Sequence, residues 1–119
     1  MKLADLIVYK KLCDLTLVVN DLTLTFPKFE IFELGSQLRR ASNSAPANLA
    51  ECFGNKHTNV YTEGISRAQG EIRETIHHLQ MASRKKYFTA EILSDLINQY
   101  EECSKMLFGL EKALYKAVK

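Results

Sequence analysis

Glu74-Thr75-Ile76-His77 is the run in this sequence with the most chemical potential. A glutamate and a histidine three positions apart on a helix share a face, and such a pair is half of the ligand set with which helical bundles hold a carboxylate-bridged pair of metal ions. The other half requires a second Glu-x-x-His and two further inward glutamates. The remaining histidines are His57, in a link between helices, and His78, beside the first. We therefore read Glu74 and His77 as a surface pair one turn apart, and expect no metal and no cofactor. The sequence has no glycine-rich phosphate loop, serine-centred elbow or Cys–His pairing of recognisable spacing, so an enzyme is not expected.

A second group of polar residues, Gln37, Ser44, Asn48 and Glu51, surrounds Pro46. Proline inside a helix forfeits one backbone bond and its ring crowds the carbonyl four residues earlier, here Ser42. We expect a kink near Ser42-Asn43-Ser44, with the polar side chains serving freed backbone groups rather than a ligand. Arg39 and Arg40 lie mid-helix beside an apolar stripe, and we expect them to pair with Glu71, Glu74 or Glu51, within or between subunits.

The elements that position these residues are helical. Five glycines and two prolines punctuate the chain, and no run alternates apolar and polar residues as a strand would. Val8, Leu12, Leu15, Val19 and Leu22 recur at four and three, predicting a first helix over about 3–24 that ends at Thr25-Phe26-Pro27. Leu6, Cys13, Leu17 and Leu24 form another stripe on that helix, roughly 150° round, which implies a second buried surface. Leu34, Leu38, Ala41, Ala45, Leu49 and Cys52 predict a second helix from near Glu30 to Gly54-Asn55. Tyr61, Ile65, Ala68, Ile72, Thr75, Leu79 and Ala82 mark a third over about 59–86, capped by Thr58 or Asn59. Leu93, Leu96, Tyr100, Cys103, Leu107, Leu110, Leu114 and Ala117 mark a fourth over about 89–117, capped by Thr89. Four such helices on short links predict a single all-α domain spanning 1–119, an antiparallel up-down-up-down four-helix bundle.

In that topology the chain start, the second link and the chain end share one pole. There it gathers Lys2, Lys56, His57, Lys112, Lys116 and Lys119, while Lys28, Arg84, Lys85 and Lys86 collect at the other. Sixteen Lys and Arg against fourteen Asp and Glu leave a net charge of only +2. A ring of copies would nevertheless repeat each cluster once per subunit, building a charged annulus able to follow a phosphate backbone. Lysines at helix C-termini also complement the helix dipole, which is the ordinary reason to find them there. Lys10, Lys11, Asp14, Asn20 and Asp21 interrupt the most apolar region, so no spanning helix is expected, and the charged start lacks a signal-peptide core. A soluble, cytoplasmic protein is expected. Cys13, Cys52 and Cys103 are odd in number, have no CxxC spacing and fall on apolar stripes, so they are expected to be reduced and buried.

Phe26-Pro27-Lys28, Ser36-Gln37-Leu38-Arg39-Arg40-Ala41, Ser44-Ala45-Pro46-Ala47-Asn48-Leu49-Ala50-Glu51 and Ala68-Gln69-Gly70-Glu71 with Glu74 form a connected set of motifs. The set resembles the S23-like family of four-helix-bundle proteins encoded in intervening sequences of bacterial 23S ribosomal RNA genes. The chain departs from it at Cys52 and Asn55, where the family usually has glycine and a basic residue. The resemblance implies a cyclic homo-oligomer, most often a pentamer, in which Arg39, Arg40, Pro46, Asn48 and Glu51 belong to the shared motif. It also implies kinship with the accessory proteins of diversity-generating retroelements, whose ring binds a reverse transcriptase and nucleic acid. The expected function is a non-catalytic, ring-forming accessory protein that contacts RNA, DNA or a nucleic-acid-processing protein through its basic poles. A purely protein-binding scaffold is the alternative.

Overall fold

Four long helices form where the apolar residues recur at three and four. The computed structural model describes the backbone of residues 1–118 and the side chains of 1–117. A 3-10 turn, Leu3–Asp5, leads into α1 (Ile7–Thr23), followed by the single turn α2 (Lys28–Ile31), then α3 (Leu34–Cys52), α4 (Thr58–Arg84) and α5 (Ala90–Val118). Among the described residues there is no strand. Helix α1 packs on α3 and α5, and α4 on α3 and α5, so each long helix has two long neighbours. Among the described residues no helix is long and apolar enough to cross a membrane.

The core consists of the predicted stripes. Leu12, Val19, Leu38, Leu49, Ile65, Ile72, Leu79 and Leu107 are almost completely buried, each contributing about 1.5–3 kcal/mol of apolar burial. The stripe on α5 is buried from Leu96 through Leu107, then emerges, leaving Ala117 exposed. Cys52 and Cys103 are buried and Cys13 half-buried, all three as free thiols. Burial pushes the Cys103 thiol up to about 11, which keeps it protonated and unreactive at neutral pH.

Three boundaries differ from the sequence expectation. The first helix begins at Ile7 because Leu6 is extended, closing the preceding turn by donating its N–H to the Leu3 carbonyl. The second begins at Leu34 rather than Glu30, because Glu33 leaves helical angles at φ −107, ψ −98. The turn before it is held separately: Arg39 donates to the Ile31 carbonyl and to Thr23 Oγ1, both at 2.8 Å. His57, not Thr58 or Asn59, occupies the N-cap of α4, with its own N–H donated to Asn55 Oδ1. At the start of α5, Thr89 Oγ1 does accept from the Ile92 amide.

Helix α3 continues through Pro46. The Ser42 carbonyl, which Pro46 cannot serve, accepts instead from Thr16 Oγ1 of α1 at 2.7 Å, a hydroxyl that also lies 2.9 Å from the Leu12 carbonyl. The proline's lost bond is thus replaced by a tie between two helices. Helices α3 and α4 meet closely at Gly64, where an added Cβ would fall 2.2 Å from Cys52 Cβ. Only a residue without a side chain permits that approach.

The second stripe on α1 is open in the single chain. Leu17 and Leu24 are each 64% exposed, while Leu6 and Cys13 are half-buried.

Candidate nucleic-acid interface

The link between α1 and α3 meets the end of α4 around one buried carboxylate. Glu30 of α2 accepts from Lys85 Nζ and from the Tyr87 hydroxyl, both at 2.7 Å. Its side chain is only 5% exposed. The Lys85 hydrogen bond, then the Tyr87 one, hold the Glu30 carboxyl below its ordinary range. The same bond raises the Lys85 ammonium, and burial followed by the Glu30 contact raises the Tyr87 phenol. Phe26 packs on Tyr87 and Phe88 with ring centroids 5.1 and 6.4 Å apart. These contacts bring α2, with Lys28, against the end of α4, where Arg84, Lys85 and Lys86 follow one another.

Lys85 gives one of its three donors to Glu30, while its side chain stays 47% exposed. Lys28, Arg84 and Lys86 form no ion pair among the described residues. Lys86 has φ 65. It occupies the left-handed position after α4, where its amide donates to the Ser83 carbonyl and that of Tyr87 donates to the Ala82 carbonyl. These are the two bonds of a Schellman ending, a position normally taken by glycine because a side chain there costs about 1 kcal/mol. A basic side chain is held where glycine would be more stable.

The other basic group is more dispersed. Lys2 precedes the first turn, Lys56 lies between α3 and α4, and Lys112 and Lys116 lie in the last turns of α5; all four are exposed. Lys112 Nζ sits 5.5 Å from the Phe108 ring centroid. Lys119 lies outside the described residues.

The motif residues of α3 divide by role. Pro46 is buried, Asn48 Nδ2 donates to the Ser44 carbonyl at 2.9 Å, and Glu51 is exposed. Among the described residues of the single chain Arg39 pairs with no acid, which leaves only the between-subunit form of the expected pairing. Two Arg39 nitrogens go to the neutral oxygens of Thr23 and Ile31, which need donors at the break before α3. Arg40 lines a cleft of about 410 Å³ with Gln37, Ala41, Ser44, Glu71 and Glu74, but no described carboxylate lies within ion-pair distance of it. Burial, and then Glu74, push the Glu71 carboxyl above its ordinary range. Glu74 reaches His78 Nε2 at 3.5 Å, one position beyond the histidine of the Glu-x-x-His run. Among the described residues no group of three or more His, Cys, Asp and Glu is arranged to hold a metal ion.

Sequence reasoning missed Glu30, Tyr87 and Thr16 as structural partners, and the two most exposed aromatic rings, Phe29 and Phe32. Those rings, 71% and 79% exposed, project from the α2 turn beside Lys28. The available signal was their i, i+3 spacing directly after Pro27, which puts both on one side of a turn.

The fold is that of a known structure. A crystal structure of a protein with unknown function, from the S23 ribosomal protein family of Bacteroides thetaiotaomicron, superposes with a TM-score of 0.79. The match covers 89% of this chain and 96% of that one at 23% identity, so it speaks for the fold alone. No curated protein matches the chain. The sequence itself does match the family model for the 23S rRNA-intervening sequence protein over residues 4–109, which takes in all of α1 to α4 and most of α5. With a match of that extent, the motifs around Pro46 have a plain explanation: this chain belongs to the 23S rRNA-intervening sequence protein family.

Proposed function

We propose that the protein is a non-catalytic, cytoplasmic accessory protein that assembles into a cyclic homo-oligomer and contacts RNA or DNA through its basic poles. The observation that carries this reading is the group Lys28, Arg84 and Lys86, which forms no ion pair among the described residues and includes a lysine held at φ 65. Strain kept at a solvent-exposed cation is better accounted for by a ligand than by folding.

An up-down-up-down topology supports the clustering. Rising numbers on α1 meet falling numbers on its neighbours, as Lys11 pairs with Glu102 and a cleft joins Val18, Leu22 and Thr25 to Glu91, Ile92 and Leu96. The pairs Thr16 with Ser42 and Thr23 with Arg39 have the same sense between α1 and α3. In that register Lys2, Lys56 and Lys112 fall near one level, the second pole. The exposed leucines 17 and 24 supply an outward apolar stripe for a neighbouring copy, and closure of such contacts gives a ring. The subunit number, five, is carried by the family resemblance.

The test is equilibrium binding to labelled RNA and DNA at roughly 50 and 200 mM salt, a range that costs several phosphate contacts orders of magnitude in affinity. Binding that collapses with salt, and weakens when Arg84 and Lys86 are replaced by glutamate, is expected. Absence of binding at the lower salt would leave the alternative, a scaffold whose α1 stripe serves only assembly with protein.

A further inference from the structure

We infer that Phe29 and Phe32 form a stacking platform for the bases of a single-stranded nucleic acid, whose phosphates lie against Lys28, Arg84 and Lys86. This rests on the nucleic-acid reading above and names the form of ligand and the side chains that take its bases.

The platform is built by what α2 does on its inner side. Residues three apart on a helical turn lie about 60° from each other, so Phe29 and Phe32 share one side while Glu30 faces away from it. Glu30 is fixed in the interior by Lys85 and Tyr87 at 2.7 Å each. The Ile31 carbonyl is fixed by Arg39 at 2.8 Å. The turn closes on itself through Glu30 N–H to the Pro27 carbonyl at 2.8 Å and Glu33 N–H to the Glu30 carbonyl at 3.1 Å. Anchored at these points, the turn cannot roll to bury its rings, which accounts for two phenylalanines at 71% and 79% exposure. Residues three apart on a helical turn have Cβ atoms about 5–6 Å apart, and a spacing of that order is one that successive bases of an unpaired strand can span.

Charge selects the occupant. Lys28 is adjacent to Phe29, and the Glu30–Lys85 pair brings α2 against the end of α4, where Arg84 and Lys86 lie. The nearby acid Glu33 is exposed and lines, with Glu30, His78 and Lys85, the cleft on the side where α2 and the start of α3 meet α4. A second copy of the chain docking here by the same face would bring like cations together, which is unfavourable, and a ring neighbour docking by a different face is the outcome that the sedimenting mass of the double variant reads. A strand of nucleic acid satisfies both features at once, with ring faces for bases and cations for phosphates. A duplex hides its base faces and would gain only the charge.

The chain contains no tryptophan, so Phe32→Trp places a unique fluorophore on the platform. Stacking predicts saturable quenching of that tryptophan by oligo(U) or oligo(dT) and little by duplex of equal length. In parallel, Phe29→Ala with Phe32→Ala should weaken oligo(U) binding about tenfold per ring, leave duplex binding unchanged and leave the sedimenting mass unchanged. If the wild-type chain binds oligo(U) salt-sensitively but the double variant binds it as tightly, the stacking platform is overturned and the basic pole stands. If the double variant loses the assembly instead, the rings belong to a subunit contact and the platform is again overturned. If the wild-type chain binds nothing at low salt, the nucleic-acid reading falls and the platform with it.

Discussion

At the scale of single residues, Glu30 and Lys86 couple stability to the basic pole in opposite ways. The Glu30 carboxyl lies below its ordinary value of 4.5 because Lys85 and Tyr87 donate to it. Its contribution to folding is therefore fully present above that value and is lost as pH falls through the depressed one. The raised Lys85 and Tyr87 groups set the other edge, since each keeps its proton past its ordinary value. Thermal melts should show a plateau across neutral pH and a decline below about pH 4.5. Glu30→Gln should lower the plateau and flatten that acid decline; an unchanged acid slope would contradict the role given to Glu30. Lys86→Gly relieves the φ 65 conformation and should raise stability by about 1 kcal/mol, while weakening RNA binding. A variant more stable and equally good at binding would show that the strain serves nothing at this pole. Of these features, the cations were countable in the sequence. That Lys85 bonds to a glutamate 55 positions earlier was not, because a contact so distant in the chain has no periodic signature.

At the scale of elements, the stripes were legible because helical periodicity is local. Every residue from Tyr61 through Ala82 assigned to the third stripe is buried. Boundaries were less legible where a side chain from elsewhere decides them, as Arg39 does at Ile31. Pro46 illustrates both. Its presence in α3 is visible in the sequence, whereas the hydroxyl that serves the Ser42 carbonyl comes from Thr16, 26 positions earlier. This arrangement predicts strong coupling between the two sites. Thr16→Val should cost about 1–3 kcal/mol by leaving a buried carbonyl without a donor. In a Pro46→Ala background, the restored amide can serve Ser42, and the same change should cost under about 1 kcal/mol. Equal costs in both backgrounds, measured by urea denaturation, would break the link between Thr16 and the proline.

At the scale of the whole molecule, one chain leaves two surfaces unused: the leucines of α1 and the cationic, aromatic end where α2 meets α4. The sequence anticipated the first through its double stripe and half of the second through its charges. The aromatic half escaped it because exposure depends on which way α2 is anchored, and that anchoring is long-range. Sedimentation velocity of the chain mixed with labelled RNA, at roughly 50 and 200 mM salt, reads both surfaces together. The account predicts a closed species at a multiple of 13.6 kDa that carries the RNA at the lower salt and releases it at the higher, and that dissociates when Leu17 and Leu24 are replaced by glutamate. A 13.6 kDa species, or an assembly from which the RNA sediments separately even at the lower salt, would contradict it.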